Sequence, residues 1–118
     1  MPHLTLEYSA NIIDKPDFKN LFRDCHTALS ATLPTDISGC KSRAIAHQDY
    51  YLGNGEATNA FIHVTLKIMP GRSREILDKV TQELLAIIER NFEKSIRELN
   101  LQITIEVSDL GFYLKKAT

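Results

Sequence analysis

The feature that most constrains the fold of this 118-residue chain is a pattern of apolar residues that occurs twice. In each half, a segment of alternating apolar and polar residues precedes an amphipathic helical segment, and a second alternating segment follows it. An offset of about 58 residues brings Pro2 onto Ala60 and Ile45 onto Ile103. The sequence therefore predicts two β-α-β units in tandem.

The first unit is predicted to occupy about residues 2–52. Residues 3–9 alternate between apolar and polar side chains, which is typical of a half-buried strand. A helical pattern extends over residues 16–34, and residues 42–49 indicate a second strand less clearly. The turn sequence Gly-Asn-Gly at residues 53–55 then separates the two units.

The second unit is predicted to occupy about residues 58–110. Residues 60–68 alternate strictly, and Ser73 is placed to cap the long amphipathic helix that follows. Residues 101–108 form the clearest strand pattern in the chain. The charged run at residues 89–98 is interpreted as the solvated face of this second helix.

Right-handed connections between parallel strands would place both helices on one face of a four-stranded mixed sheet, an α/β (α+β) fold. The length of the chain favours one domain over residues 1–118. The opposite face of the sheet would be polar, and it could face water or line a wet interior between subunits. The residues of that face are His3, Thr5, Glu7, His63, Thr65, Thr104 and Glu106.

The charge and cysteine content limit the partners and the compartment. A formal net charge of −1, with no basic stripe, argues against nucleic acid or an anionic membrane as a partner. The start of the chain lacks a basic segment followed by an apolar run, and charges interrupt every apolar segment, so we expect a cytoplasmic protein without a membrane span. Cys25 and Cys40 are interpreted as two reduced thiols in preference to a disulfide.

Pro2 is the candidate catalytic residue. Removal of Met1 would expose its secondary amine at the start of a strand, and burial and nearby cations lower the pKa of such an amine toward neutral pH. The alternative is that a strand start merely tolerates proline. If Met1 is retained, the nitrogen of Pro2 is an amide and cannot act as a base. Ala60, the equivalent residue of the second unit, has no free amine, so one site per chain is expected.

Three cations are candidate anion-binding residues. Arg72 stands at a strand-to-helix turn, where backbone N–H groups also favour anions, and arginine can grip a carboxylate with two hydrogen bonds. Lys41 and Arg43 stand at the entry to the second strand; the alternative for all three is a solvated surface charge. The histidine spacing indicates no metal site, and no phosphate-binding or redox motif is present.

Together these residues resemble the tautomerase superfamily, in which an amino-terminal proline acts as acid and base on a β-α-β scaffold. The second half, through the sequence Gly-Arg-Ser at residues 71–73, resembles a 4-oxalocrotonate tautomerase subunit. The opening Met-Pro-His, the segment Lys-Ser-Arg at 41–43 and the run AFIHVTLKI at 60–68 more specifically resemble the 5-carboxymethyl-2-hydroxymuconate delta-isomerase family. This resemblance covers essentially the whole chain.

The resemblance implies a homotrimer whose sheets face inward, and a step in homoprotocatechuate catabolism that needs no metal or organic cofactor. It implies that Pro2 is the catalytic base and then acid, and that Arg72, Lys41 and Arg43 bind a small, multiply carboxylated substrate. Lys41 stands where the family leads us to expect arginine, and lysine is a point charge that cannot grip a carboxylate with two hydrogen bonds. Two alternatives remain open: another tautomerase reaction on a related unsaturated keto acid, or a non-catalytic α/β assembly module.

Overall fold

The computed structural model describes every residue from Met1 to Thr118. Four strands and three helices account for most of the chain, and a short 3-10 turn at Ile37–Gly39 precedes the second strand. In chain order the elements are β1 (His3–Ser9), α1 (Phe18–Thr32), β2 (Lys41–His47), β3 (Asn59–Ile68), α2 (Arg74–Asn91), α3 (Glu93–Glu98) and β4 (Asn100–Asp109).

The four strands form one mixed sheet in the order β2-β1-β3-β4. The outer pairs, β1 with β2 and β3 with β4, are parallel, whereas the central pair β1 with β3 is antiparallel. Each half of the chain thus contributes two parallel strands joined through a helix. The predicted four-stranded mixed sheet with two main helices is confirmed, while the extent of the domain stays a prediction.

The two inner strands follow the predicted offset, but the outer strands do not. Leu6 pairs with Ala44, and its counterpart Val64 pairs with Ile105. The offset between the two outer strands is therefore three residues larger than the offset between the two inner strands. The predicted match of Ile45 with Ile103 is therefore wrong. Before the outer strand, the first half has the 3-10 turn Ile37–Gly39, whereas the second half has the longer helix α3.

The apolar core lies between the sheet and the two long helices. Alternate residues of β1 and β3 are almost completely buried, and so are the residues that α1 and α2 direct toward the sheet. Examples from the four elements are Leu4, Leu6, Ile62, Val64, Leu66, Leu21, Leu29, Val80 and Leu84. This packing holds the start of β1 rigidly at one end of the sheet.

The helix boundaries agree with the capping signals except at the end of the second helix. Ser73 caps α2, as predicted, because its hydroxyl accepts a hydrogen bond from the N–H of Ile76. The interpretation of residues 89–98 as one solvated helix face is wrong, because α2 ends at Asn91 and Ser95 in α3 is fully buried. The carboxylate of Asp14 accepts hydrogen bonds from the backbone of α3, which fixes this separate turn.

The face of the sheet away from the helices carries the polar residues that the alternation predicted. Its histidines are paired: His47 Nε2 lies 2.9 Å from Glu7 Oε1, and His63 Nε2 lies 3.1 Å from Glu106 Oε1. Cys25, on the helix side, is a buried free thiol, and burial raises its pKa to about 12. None of the helices is long and apolar enough to cross a membrane.

Candidate active site at the amino terminus

Pro2 lies immediately before β1 and is buried. Its carbonyl oxygen accepts a hydrogen bond from the backbone N–H of Lys41 at 3.0 Å, which extends the β1–β2 ladder to the start of the chain. Cys40, the residue before Lys41, is also buried. The backbone around Pro2 is therefore fixed against the edge of the apolar core.

The α-amine of Met1 reports the electrostatic environment at this end of β1. Burial lowers the pKa of the amine below its usual value, and the positive charges of Arg72, Lys115 and Lys41 lower it further. Cys40 opposes this effect only as a thiolate, and burial raises the pKa of its thiol, so Cys40 is neutral near pH 7. A terminal amine here is consequently unprotonated more often than one in water.

Arg72 is oriented by two backbone carbonyl groups. Its guanidinium donates one hydrogen bond to the carbonyl oxygen of Met69 at 2.8 Å and another to that of Leu33 at 3.3 Å. Leu33 is the C-cap residue of α1, where carbonyl groups lack helical partners. Because arginine has five N–H donors, three remain available to bind an anion.

Lys41 and Arg43 both project from the polar face of β2, but they differ in what they reach. Lys41 Nζ lies 3.4 Å from the carbonyl oxygen of Gly39, and its charge acts on the terminal amine. Arg43 donates a hydrogen bond to Nδ1 of His3 at 3.1 Å. The charges of Arg72 and Lys41 thus both act on the terminal amine, and Arg43 lies two residues beyond Lys41 along β2.

A cavity of about 430 Å³ lies at the opposite end of β3, around Ala60. This cavity surrounds the residue that corresponds to Pro2 in the second half of the chain. Amide side chains contribute much of its lining, from Asn54, Asn59, Asn100 and Gln102. Volume alone therefore does not mark the candidate site, which the clustered charges and the chain terminus identify. No group of three or more His, Cys, Asp or Glu side chains is arranged to hold a metal ion.

Comparison with known proteins places these features in a family. A family model described as 5-carboxymethyl-2-hydroxymuconate isomerase matches residues 2–116. The chain belongs to this family. A 5-carboxymethyl-2-hydroxymuconate Delta-isomerase from Escherichia coli is 30% identical over 110 residues, which cover 93% of this chain and 87% of the relative.

Solved structures agree with the assignment to the 5-carboxymethyl-2-hydroxymuconate isomerase family. The crystal structure of a 5-carboxymethyl-2-hydroxymuconate isomerase from Deinococcus radiodurans R1 matches with a TM-score of 0.87 and 29% identity, over 98% of this chain and 90% of that chain. A fused 4-OT symmetric trimer matches with a TM-score of 0.69 over 92% of this chain and 85% of that chain, at 14% identity, which shows likeness of fold alone. The predicted resemblance is confirmed, and the chain is an isomerase of the tautomerase superfamily.

Three residues near the terminal amine of this isomerase were not predicted from the sequence. Nδ1 of His3 accepts from Arg43, which can only donate, so the neutral ring carries its proton on Nε2. Nε2 then donates to the hydroxyl oxygen of Tyr113 at 2.8 Å. Lys115 Nζ lies 3.5 Å from Sδ of Met1.

The protonation state of His3 follows from its neighbours. Burial lowers the pKa of the ring, and the charges of Arg43, Lys41, the terminal amine and Lys67 lower it further. Tyr113 and Lys115 follow β4, in a segment without strand or helix periodicity. Because β4 is parallel to β3, and β3 is antiparallel to β1, the segment after β4 lies at the amino-terminal end of β1. The sheet order was therefore the signal that could have located Tyr113 and Lys115.

Proposed function

We propose that this isomerase interconverts keto and enol forms of 5-carboxymethyl-2-hydroxymuconate, with the amine of Pro2 as acid and base after removal of Met1. The observation that supports the proposal most strongly is the position of Pro2, which is buried at the start of β1, where the charges of Arg72, Lys115 and Lys41 lower the pKa of the preceding Met1 amine. Such surroundings favour a neutral, basic amine next to a site for anions. The family match over residues 2–116 supports the choice of substrate.

In the proposed reaction, the neutral amine of Pro2 removes the proton of the 2-hydroxyl group. The electron pair of the O–H bond forms the carbonyl group, and the π electrons move along the conjugated chain to a carbon atom. That carbon takes the proton back from the ammonium form of Pro2, so atoms and charge balance and no redox step occurs. The positive charges around the amine stabilise the negative charge that is spread over the conjugated system during the transfer.

The three carboxylates of the substrate suit a site with several cations. Arg72, held by its two carbonyl contacts, is proposed to bind one carboxylate through its remaining N–H groups. Lys41 is proposed to bind a second as a point charge. Arg43, which is linked to His3, is proposed to bind the substrate at the sheet side of the site.

A homotrimer with the polar sheet faces turned inward is part of the proposal. The fused 4-OT neighbour is a symmetric trimer and shares the fold. On this polar face, Ile45 has 45% of its surface exposed, which a subunit interface would cover. Homoprotocatechuate catabolism and a cytoplasmic location are proposed on the family resemblance alone.

The test combines the intact mass of the purified protein with ketonisation of 5-carboxymethyl-2-hydroxymuconate followed by ultraviolet absorbance. Loss of Met1 and activity that Pro2→Ala reduces strongly, without a change in folding or assembly, are expected. Protein that retains Met1 should be inactive and should gain activity when an aminopeptidase removes the methionine. Processed and folded protein that does not act on this compound would refute the substrate assignment.

A related unsaturated keto acid is the second candidate substrate. It is favoured by Lys41, since lysine replaces the arginine that the family leads us to expect and cannot grip a carboxylate with two hydrogen bonds. A panel of unsaturated keto acids that differ in carboxylate number separates the two candidates. A higher kcat/KM for a dicarboxylate than for the tricarboxylate would favour the second.

A further inference from the structure

The segment after β4 bonds once to the end of β3 and contacts the start of the chain through two side chains, Tyr113 and Lys115. The N–H of Leu110 donates to the carbonyl oxygen of Ile68 at 2.7 Å, which carries the chain beyond the end of β4. Tyr113 accepts the hydrogen bond from His3, and their rings meet edge to face at 5.7 Å. Residues 110–115 therefore reach the amino-terminal end of β1.

Lys115 is the residue of this segment that comes nearest to the terminal amine. Its ammonium lies 3.5 Å from Sδ of Met1, and a methyl group added at Gly39 would lie 3.4 Å from the same sulfur atom. The side chain of Met1 thus occupies the space between Lys115 and the loop before β2. Lys41, whose Nζ contacts the carbonyl oxygen of Gly39, borders this space on the same side as the loop.

Removal of Met1 would empty this space directly in front of the nitrogen of Pro2. Lys115 takes part in none of the ion pairs of the chain, although its charge is one of the influences that lower the pKa of the exposed Asp36 carboxyl. Two ammonium groups, one from β2 and one from the carboxyl-terminal segment, would then flank the vacated volume. Carboxylates are the substrate groups that such a volume favours.

We propose that Lys115 is a substrate-binding residue, which holds a substrate carboxylate in the space that Met1 occupies before its removal. This inference rests on the proposed function and adds to Arg72, Lys41 and Arg43 a fourth cation, which comes from a different part of the chain. Tyr113 is a positioning residue, because its contact with His3 places the segment that carries Lys115. Since Tyr113 accepts from His3, its own O–H remains free to donate.

Lys115 also contributes to the electrostatics of the amine. The charged or titratable groups that act on the terminal amine are Arg72, Lys115, Lys41 and Cys40, and burial has the largest effect on its pKa. The thiol of Cys40 is neutral near pH 7, so the three cations act without opposition. Loss of Lys115 should therefore raise the pKa of the amine and move the acid limb of the kcat/KM profile to higher pH.

The experiment compares Lys115→Met with Lys116→Met, which removes the same charge from the adjacent exposed residue. Both variants are prepared with Met1 removed. Lys115→Met should raise KM for 5-carboxymethyl-2-hydroxymuconate by about tenfold, the loss expected for one charge-assisted hydrogen bond, while Lys116→Met should stay within about twofold of the parent. Equal KM values for the two variants would overturn the proposal.

A second measurement separates this proposal from the proposed function. The pKa of the Pro2 amine is followed in protein labelled with 15N-proline by nuclear magnetic resonance without substrate. If the parent protein does not turn over the compound, the proposed substrate is wrong, and the amine pKa alone decides whether Lys115 belongs to the Pro2 site. A pKa of the Pro2 amine that is higher than in the parent in Lys115→Met but not in Lys116→Met supports that placement. Equal amine pKa values in the two variants overturn it.

Discussion

Arg72 combines a structural contact with a charge in the site, and two substitutions separate these contributions. Its guanidinium joins the end of β3 to the C-cap of α1 through the carbonyl groups of Met69 and Leu33. The same charge lowers the pKa of the terminal amine. Arg72→Lys keeps the charge but loses the planar fork, whereas Arg72→Met loses both.

The magnitude follows from the two hydrogen bonds. A hydrogen bond from a charged donor contributes about 1.5–3 kcal/mol when it is protected from water. The contact with Met69 is exposed and that with Leu33 is half-buried, so we discount their sum to about 1–2 kcal/mol. In a domain of this size, that loss lowers Tm by about 4–8 °C. Loss of a bidentate carboxylate contact should also lower kcat/KM by about 100-fold in either variant.

The assay measures Tm by calorimetry and kcat/KM against pH for both variants. Arg72→Lys should leave the acid limb of the kcat/KM profile nearly unchanged, because the positive charge is kept. Arg72→Met should move the acid limb to higher pH, because the pKa of the Pro2 amine rises when the charge is lost. Arg74→Met is the matched control, since Arg74 is an exposed arginine at the start of α2. If Arg72→Met and Arg74→Met have the same Tm and the same kcat/KM, the roles assigned to Arg72 are refuted.

Three further predictions concern the core, the α3 turn and the site. Leu84→Ala, at a side chain with 1% of its surface exposed, should reduce the free energy of unfolding in urea by about 2–5 kcal/mol, whereas the same change at exposed Ile96 should cost less than half as much. Burial raises the pKa of Asp14, but hydrogen bonds from Ser95 and Lys94 outweigh burial, so the net pKa is lowered. The Asp14 carboxylate should therefore stabilise the fold above its unfolded pKa and lose this contribution as the pH falls through its folded pKa. In Asp14→Asn, the free energy of unfolding should consequently fall less steeply as the pH is lowered. Lys41→Arg should lower KM for the tricarboxylate by about threefold to tenfold, and an unchanged KM would argue against a carboxylate contact at Lys41.

The sequence was sufficient to predict the sheet because one face of it is buried. Alternation at residues 60–68 reproduces β3, since a shift of one residue would expose every core side chain. The second strand was less clear and lies at Lys41–His47 instead of residues 42–49, because the residues that β2 turns toward the core are the small Ser42, Ala44 and Ala46. The other edge strand, β4, has large apolar residues at the corresponding positions and gave a clear pattern. The separate turn α3 was missed, because Asp14 stabilises it from a part of the chain about 80 residues away, a contact that local periodicity does not contain.

The candidate site was predictable where a local signal exists. Arg72 stands out because a strand-to-helix turn precedes a capped helix, and the turn includes Gly71 at φ 112°, a conformation that glycine adopts readily. The relative positions of Lys41 and Arg43 required the register of β2 against β1. Lys115 was not predictable in the same way, since only the sheet order brings the end of β4 to the start of β1.

The approximate repeat within the chain explains why the fold alone does not create the site. The register makes Ala60 the counterpart of Pro2 and Gln102 the counterpart of Lys41. The sheet provides a cavity around Ala60, yet the nitrogen of this residue lies within the chain as an amide, and the neutral Gln102 stands in place of the cation Lys41. A β-α-β unit thus supplies the position, while the chain terminus and the cations of Lys41, Arg72 and Lys115 supply the basic amine and the anion binding. On this reasoning, cations introduced around Ala60 should create an anion site without proton-transfer activity, because no free amine stands there.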